Sequence, residues 1–217
     1  IFSPPFFLLA ALNPMPTSWA MDVTLYLALL VSAAAMLLWL RDKGIAALPA
    51  FVAALSFAFG ASMAWRIQHT GQVLSLAYLP IVLLFLDRAL AKRSVPYGIA
   101  AGATAAFLVL GRDQIALLCC YLLVAYVVHF WWSADDRTAG FKQSLPPLSA
   151  ASITGLLIIT LPVLMTFLLS QDSNRPAIDL EGAGHGSLHP ALFLTAIAPD
   201  VFGSSGVQQS YWGPPSP

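Results

Sequence analysis

The chain has 217 residues, of which 59% are hydrophobic and only 9% are charged, and its ten Lys and Arg balance ten Asp and Glu. Soluble domains carry about 25% charged residues, so this composition excludes an ordinary globular enzyme. It also excludes a disordered protein and a nucleic-acid-binding protein, because the chain has no excess of positive charge to neutralise phosphates. The composition indicates a protein that lies in the lipid bilayer.

Six apolar segments approach the length of about 20 residues that a membrane-spanning helix needs. In chain order they are Trp19–Leu40, Ile45–Trp65, Gly71–Leu90, Val95–Leu110, Ile115–Trp132 and Leu148–Leu169. Ahead of them, the apolar segment Ile1–Leu12 contains two prolines and is interpreted as a short interfacial or re-entrant helix. The predicted fold class is an all-α polytopic membrane helix bundle over residues 1–170.

The remaining residues, 171–217, are rich in Pro, Gly and Ser and are predicted to form a long extracytoplasmic loop. An apolar piece near 190–198 is too short to cross the membrane, so we expect a short helix along the interface there. Ile1 opens no signal-peptide pattern and Pro217 completes no element, so we expect the chain to be part of a longer protein.

The basic residues alternate between the predicted loops, and this alternation predicts an orientation. Seven of the ten cations follow the first, third and fifth spans, namely Arg41, Lys43, Arg88, Lys92, Arg93, Arg137 and Lys142. Because Lys and Arg are enriched in cytoplasmic loops, these loops are placed in the cytoplasm and both chain ends outside it. The loops are short, with one predicted over Asp87–Ser94, and they contain no nucleotide-binding motif.

The polar residues that suggest a function lie at the outer ends of the spans. Arg66 and His69 are three residues apart, so they would share one face if the second span continued as a helix. A guanidinium and an imidazole at headgroup depth suit a lipid-borne phosphate. The alternative is a simple hairpin turn whose Arg extends to lipid phosphates.

Arg112 and Asp113 lie between the fourth and fifth spans. Asp113 is a weak candidate for a catalytic base or for a residue that orients Arg112, but capping of the next helix explains it equally well. His185 and His189 are four residues apart in the outer tail, but the glycine between them and the proline that follows disfavour a helix, so no metal site is predicted.

The order of several short motifs resembles one family. They are Gly60–His69 (GASMAWRIQH), Ala77–Leu84 (AYLPIVLL), Asp87–Ala89 (DRA), Ala198–Gly203 (APDVFG) and Tyr211–Gly213 (YWG). In this order they resemble the YfhO-like bacterial membrane proteins over most of the chain. Gly111–Gln114 reads Gly-Arg-Asp-Gln, whereas that family often has Gly-His-Pro-Gln there.

The resemblance implies a glycosyltransferase of the GT-C superfamily in the bacterial inner membrane. Such an enzyme transfers a sugar from a polyprenyl-phosphate carrier to an envelope glycan or lipid acceptor outside the cytoplasmic membrane, so its partners are membrane lipids, this donor and the acceptor. Its acidic catalytic residue usually lies in the first outer loop, which would precede Ile1, and the catalytic group is therefore unassigned. Arg66, His69, Arg112 and Arg175 are the candidates that would bind the lipid phosphate. No cofactor is expected besides the donor, and a divalent metal requirement is left open.

Two other functions fit the composition, namely a transporter or flippase for a lipid or small solute, and a non-catalytic membrane scaffold. Transporters commonly place ionisable groups near the middle of the bilayer. The predicted span centres carry almost no charge and the polar residues lie at the outer boundary, which favours chemistry at the interface.

Overall fold

The structure is a computed structural model that describes residues 3–111, 114–171, 189–198, 201–203 and 212–214. Helices make up 81% of these residues, and none of them lies in a β-strand. The predicted all-α class is confirmed at this level, since several of the helices are long, apolar and compatible with a membrane helix bundle.

The described residues form eight α-helices and one 3₁₀ helix. They are α1 (Pro4–Leu12), α2 (Ser18–Asp42), α3 (Ala47–Phe59), α4 (Ala61–Ala64), α5 (Thr70–Ala91), α6 (Val95–Val109), α7 (Gln114–Trp132), α8 (Arg137–Gln171) and the 3₁₀ helix (Pro190–Ala196). The chain divides into two compact units, Ile1–Phe167 and Leu168–Pro217. The short helix expected near 190–198 is present as the 3₁₀ helix, whereas most of the predicted outer loop lies outside the described residues.

Five segments among the described residues are long and apolar enough to cross a membrane, namely α2, α3 together with α4, α5, α7 and α8. α6 is equally apolar but has 15 residues, about 22 Å of helix against a hydrocarbon core of about 30 Å. The helix that contains the sixth predicted span, Leu148–Leu169, begins at Arg137. Asp136 explains the earlier start, because its carboxylate accepts the N–H groups of Thr138 and Ala139 at 2.9 and 3.0 Å and so caps α8.

Hydrogen bonds between helix ends define two ends of the bundle. α2 and α5 finish side by side, where Lys43 pairs with Asp87 and Arg88 pairs with Asp42. We call this the Lys43 end. α7 also finishes at this end, where Trp131 Nε1 of α7 donates to Ser144 Oγ of α8 at 2.8 Å. We call the opposite end, where α5 begins, the His69 end.

α5 is the central helix. Its most apolar window is 78% buried, compared with 11% for α7 and 0% for α8. The outer helices therefore expose large aliphatic side chains, such as Leu118 and Leu157, over most of their length. An apolar surface of this extent on a helical protein is what lipid would cover.

The turns that follow α2 and α5 share one hydrogen-bond pattern, the Schellman motif. After α2, the N–H of Ile45 donates to a carbonyl in the last turn of that helix at 3.1 Å. After α5, the N–H of Ser94 donates in the same way at 3.0 Å. The residue before each of these has a positive φ, which is +80° at Gly44 and +51° at Arg93. Glycine adopts this conformation freely, but an arginine there carries backbone strain of about 1 kcal/mol or more.

α6 and α8 approach each other closely where α6 carries glycines four residues apart. A Cβ atom on Gly98 would collide with the carbonyl oxygen of Pro147, and one on Gly102 would collide with that of Ala151. Small residues at this spacing let the backbones of two membrane helices touch. Neither glycine can therefore be enlarged without moving α8.

The predicted N-terminal helix is present as α1, and its start lies beside the middle of α5. The hydroxyl groups of Ser3 and Tyr78 are 3.0 Å apart. Tyr78 lies eight residues from the start of α5, which is about 12 Å along the helix. α1 therefore runs from the depth of Tyr78 towards the His69 end, where α2 begins.

Candidate functional site

Arg66 and His69 lie in the turn between α4 and α5. α4 ends at Ala64, and the backbone N–H of His69 donates to the carbonyl of Arg66 at 2.7 Å. The helix that would have placed both side chains on one face therefore stops before either residue. The predicted span is already interrupted at Gly60, whose extended backbone ends α3, and only the four-residue α4 lies between Gly60 and the turn.

The side chains of this turn face open space at the His69 end. One guanidinium nitrogen of Arg66 donates to the carbonyl of Ser62 at 3.1 Å, and Arg66 borders an open pocket of about 470 Å³ together with Ala61, Ser62 and Trp65. His69 is exposed and occupies the N-cap position of α5 without a side-chain cap hydrogen bond. Within the described part of the chain, neither side chain forms an ion pair.

The other predicted site residues cannot be joined to this turn. Arg112, Asp113 and Arg175 lie outside the described residues, so their roles stay predictions. The helix before Arg112 does end at the His69 end, because Ser75 Oγ in the second turn of α5 donates to the carbonyl of Leu108 at 3.3 Å.

The histidine pair of the tail is half described. His189 Nδ1 accepts the backbone N–H of Ala191 at 3.2 Å and so caps the 3₁₀ helix, whereas His185 lies outside the described residues. Over the described ranges, no three His, Cys, Asp or Glu side chains group as metal ligands.

A polar cluster that the sequence analysis missed lies at the Lys43 end. Asp87 is 6% exposed, and its Oδ1 accepts hydrogen bonds from Lys43 Nζ and Tyr126 Oη, both at 2.5 Å. Asp87 thereby connects α5 to the end of α2 and to α7. A buried carboxylate is tolerated in an apolar bundle only when it is paired and hydrogen-bonded in this way.

A second ion pair and two aromatic rings complete the cluster. Arg88 Nε donates to Asp42 Oδ2 at 2.6 Å. Lys43 Nζ lies 5.6 Å from the centroid of the Tyr126 ring, which meets Trp39 edge-on. The two pairs are crossed, since α2 and α5 each carry an acid–base dipeptide at or near their ends and each acid binds the base of the other dipeptide.

Two opposing effects act on Lys43. Burial lowers the pKa of Lys43, but its hydrogen bonds with Asp87 and Tyr126 and their charges more than offset this, so that the pKa is raised from its ordinary value. The contribution of Lys43 to stability is therefore fully present below the ordinary pKa of lysine and is lost as the pH rises through the raised pKa.

The sequence contained a signal for this cluster. The sequence predicts a loop from Asp87 onward, but Asp87 and Arg88 are both helical, because α5 continues to Ala91. The Asp-Lys dipeptide after the first span and the Asp-Arg dipeptide near the end of the third are complementary. Complementary charged dipeptides at span ends on the same side of the membrane are the pattern that predicts these ion pairs.

Two apolar grooves run along the helices. One of about 570 Å³ lies between α5, α6, α7 and α8, and one of about 540 Å³ lies between α1, α2, α5 and α6. Their linings are almost entirely aliphatic, and Tyr78, Thr24 and Thr104 are the hydroxyl-bearing residues of the second. Grooves with this lining suit hydrocarbon chains rather than polar substrates.

Comparisons of the chain with protein-family models, with curated proteins and with solved structures find no match in any of the three.

Proposed function

We propose that the chain is a multi-pass inner-membrane protein of the YfhO-like kind and belongs to a GT-C-type glycosyltransferase. Its donor is a sugar on a polyprenyl-phosphate carrier, and its acceptor is an envelope glycan or lipid on the extracytoplasmic side. The observation that carries the proposal is the Arg66–His69 turn, which presents a half-buried cation and an exposed imidazole at one end of an apolar helical bundle. The order of the family-like motifs supports it.

The depth of this turn fits a lipid-borne phosphate. α5 has 22 residues, which is about 33 Å of helix and matches a hydrocarbon core of about 30 Å. His69 immediately precedes α5, so it lies at headgroup depth when α5 spans the bilayer. A polyprenyl phosphate keeps its phosphate at that depth because its chain stays in the hydrocarbon core. The groove beside Tyr78 offers apolar room for the chain next to this end.

The chemistry needs a cation at this position. The acceptor hydroxyl oxygen attacks the anomeric carbon, the bond from that carbon to the phosphate oxygen breaks, and the phosphate leaves with the bonding electron pair. The hydroxyl proton passes to a general base. Arg66 stabilises the charge that develops on the phosphate, and the positive end of the α5 dipole adds to this effect. The base is unassigned among the described residues, and Asp113 is a weak candidate beyond them.

A membrane transporter or flippase is the second candidate, because two features of the described residues favour it. Asp87 is a buried ionisable residue within an apolar helix, and such residues often mark ion or substrate pathways. The break at Gly60 interrupts a candidate span, as in transporters whose discontinuous helices bind substrate. These features lie at the Lys43 end and in α3–α4, whereas the transferase proposal depends on Arg66. Variants of these features therefore distinguish the transporter from the transferase.

The test is the rate of sugar transfer by the full-length protein in membrane vesicles supplied with a radiolabelled polyprenyl-phosphate sugar. We expect Arg66→Gln to lower this rate about 100-fold, as removal of a comparable charge-stabilising donor does. Lys142→Gln is the matched control, because it removes an exposed cation at the other end, and we expect it to leave the rate unchanged. An unchanged sugar-transfer rate in Arg66→Gln would reject the role proposed for Arg66. If Asp87→Asn abolishes movement of a solute or lipid while Arg66→Gln leaves that movement unchanged, the transporter is favoured.

A further inference from the structure

We infer that the turn between α5 and α6 is a binding site for the headgroup of an anionic phospholipid, formed by Lys92, Arg93 and Tyr97. We call these three residues the Lys92 site. The inference concerns the Lys43 end, so it does not depend on the transfer reaction proposed for the His69 end.

The Lys43 end has more cations than its own carboxylates neutralise. Of the seven cations there, Lys43 and Arg88 are in ion pairs. Within the described ranges, no carboxylate lies within ion-pair distance of Lys92 or Arg93, and both residues are exposed. The charge of Lys92 acts on the carboxylate of Asp42 without forming an ion pair, so the N–H donors of Lys92 can bind an external anion.

Tyr97 holds the ammonium of Lys92 at the surface. Lys92 Nζ lies 5.3 Å and Arg88 Cζ 5.9 Å from the centroid of the Tyr97 ring, and the Phe85 ring stacks on Tyr97 at 6.4 Å. A cation over an aromatic ring keeps its N–H donors, because the ring attracts the charge without accepting all of them. Lys92 is thus oriented but still able to donate to phosphate oxygens.

Arg93 adds a second cation at a position that glycine fills in the equivalent turn. Gly44 and Arg93 both occupy the left-handed position after their helices, and Arg93 keeps its side chain there despite the strain. Arg93 also borders a cavity of about 380 Å³ that Asp135 and Asp136 line. Their negative charge disfavours an anion in that cavity, so the proposed anion site lies beside Lys92 and Tyr97.

The position of the turn favours a phospholipid over a soluble anion. The turn follows directly on α5, whose buried apolar residues continue to Leu90, so it meets the headgroup layer when α5 spans the bilayer. Lys92 and Tyr97 line none of the described pockets that would enclose a soluble ligand. Basic residues at this depth attract anionic lipids.

The test titrates the full-length protein in detergent with phosphatidylglycerol or phosphatidylcholine, and bound lipid is counted by native mass spectrometry. Each basic residue near the membrane surface strengthens the binding of an anionic lipid. We therefore expect Lys92→Gln to weaken phosphatidylglycerol binding about fivefold, and Lys92→Gln/Arg93→Gln to weaken it about 25-fold. We expect Tyr97→Leu to weaken it as well, although it changes no charge. Lys142→Gln, which removes a cation at the same end but outside the site, should change it less than about twofold.

Several results would overturn the inference. One is unchanged phosphatidylglycerol binding in Lys92→Gln, and another is an equal loss in Lys142→Gln, which would mean that only the summed surface charge matters. Displacement of phosphatidylglycerol by inorganic phosphate at comparable concentration would show a site for free anions instead. Helix content measured by circular dichroism identifies a variant that fails to fold, and Tyr97→Leu and Lys92→Gln then serve as independent tests of the same site.

Discussion

Asp87 and Lys43 form one ion pair but differ in how much water reaches them. The side chain of Lys43 is 42% exposed, whereas that of Asp87 is 8% exposed. Water can therefore solvate Lys43 when its partner is removed, but it can hardly solvate Asp87. The cost of removing either partner depends on this difference, because an unpaired buried charge is far less favourable than an unpaired exposed one.

We expect Lys43→Met to lower the free energy of unfolding by about 2–3 kcal/mol and Asp87→Asn by about 1 kcal/mol. Among the described residues, Lys43→Met leaves the carboxylate of Asp87 with the hydroxyl of Tyr126 as its one partner, whereas Asp87→Asn leaves an ammonium that water can reach. Unfolding of the purified protein in detergent, followed by circular dichroism, measures both. The double variant Lys43→Met/Asp87→Leu should recover most of the loss, and a larger effect of Asp87→Asn than of Lys43→Met would contradict this account.

Single residues differ in how far the sequence could predict them. Arg66 and His69 could be selected because few polar residues interrupt so apolar a chain. The Asp87 cluster could not be selected in the same way, since its partners lie 44 and 39 positions away in the chain. Only the packing of α2 and α7 against α5 brings them together.

At the scale of elements, the sequence predicted apolar lengths better than helix ends. The span predicted over Ile45–Trp65 is interrupted at Gly60, where a Cβ atom would collide with the carbonyl oxygen of Ser56. α8 starts early because of the Asp136 cap and contains three internal prolines. Apolar composition sets which segments enter the bilayer, but caps and close backbone contacts set where each helix stops.

The contact between α6 and α8 gives a prediction at this scale. We expect Gly102→Leu to lower the free energy of unfolding by more than about 2 kcal/mol or to separate the two helices, because the added side chain meets the backbone of Ala151. Ile99→Leu on the same helix is the matched control, since Ile99 is 47% exposed and should tolerate the change. Thermal unfolding in detergent compares the two variants, and equal midpoints would show that α6 and α8 do not depend on this contact.

At the scale of the whole molecule, the two ends of the bundle differ in charge. Seven of the ten cations of the chain lie on helix ends and turns at the Lys43 end. Among the described residues, Arg66 is the cation of the His69 end. In a membrane this asymmetry favours retention of the Lys43 end in the cytoplasm. The proposed reaction requires the same orientation, because the sugar acceptor lies outside.

Cysteine labelling in intact bacterial cells tests this orientation. Cys119 and Cys120 are first replaced by alanine, and a single cysteine is then introduced by Gln68→Cys at the His69 end or by Ser133→Cys between α7 and α8. We expect a membrane-impermeant maleimide to label Gln68→Cys in intact cells and Ser133→Cys only after permeabilisation, because the cationic loops stay inside. Both positions are exposed, so a difference in labelling reports the side of the membrane rather than burial. The reverse pattern would place Arg66 and His69 on the cytoplasmic side, where they cannot reach an acceptor outside the membrane. The proposed transfer would then be excluded, even if Arg66 binds a lipid phosphate.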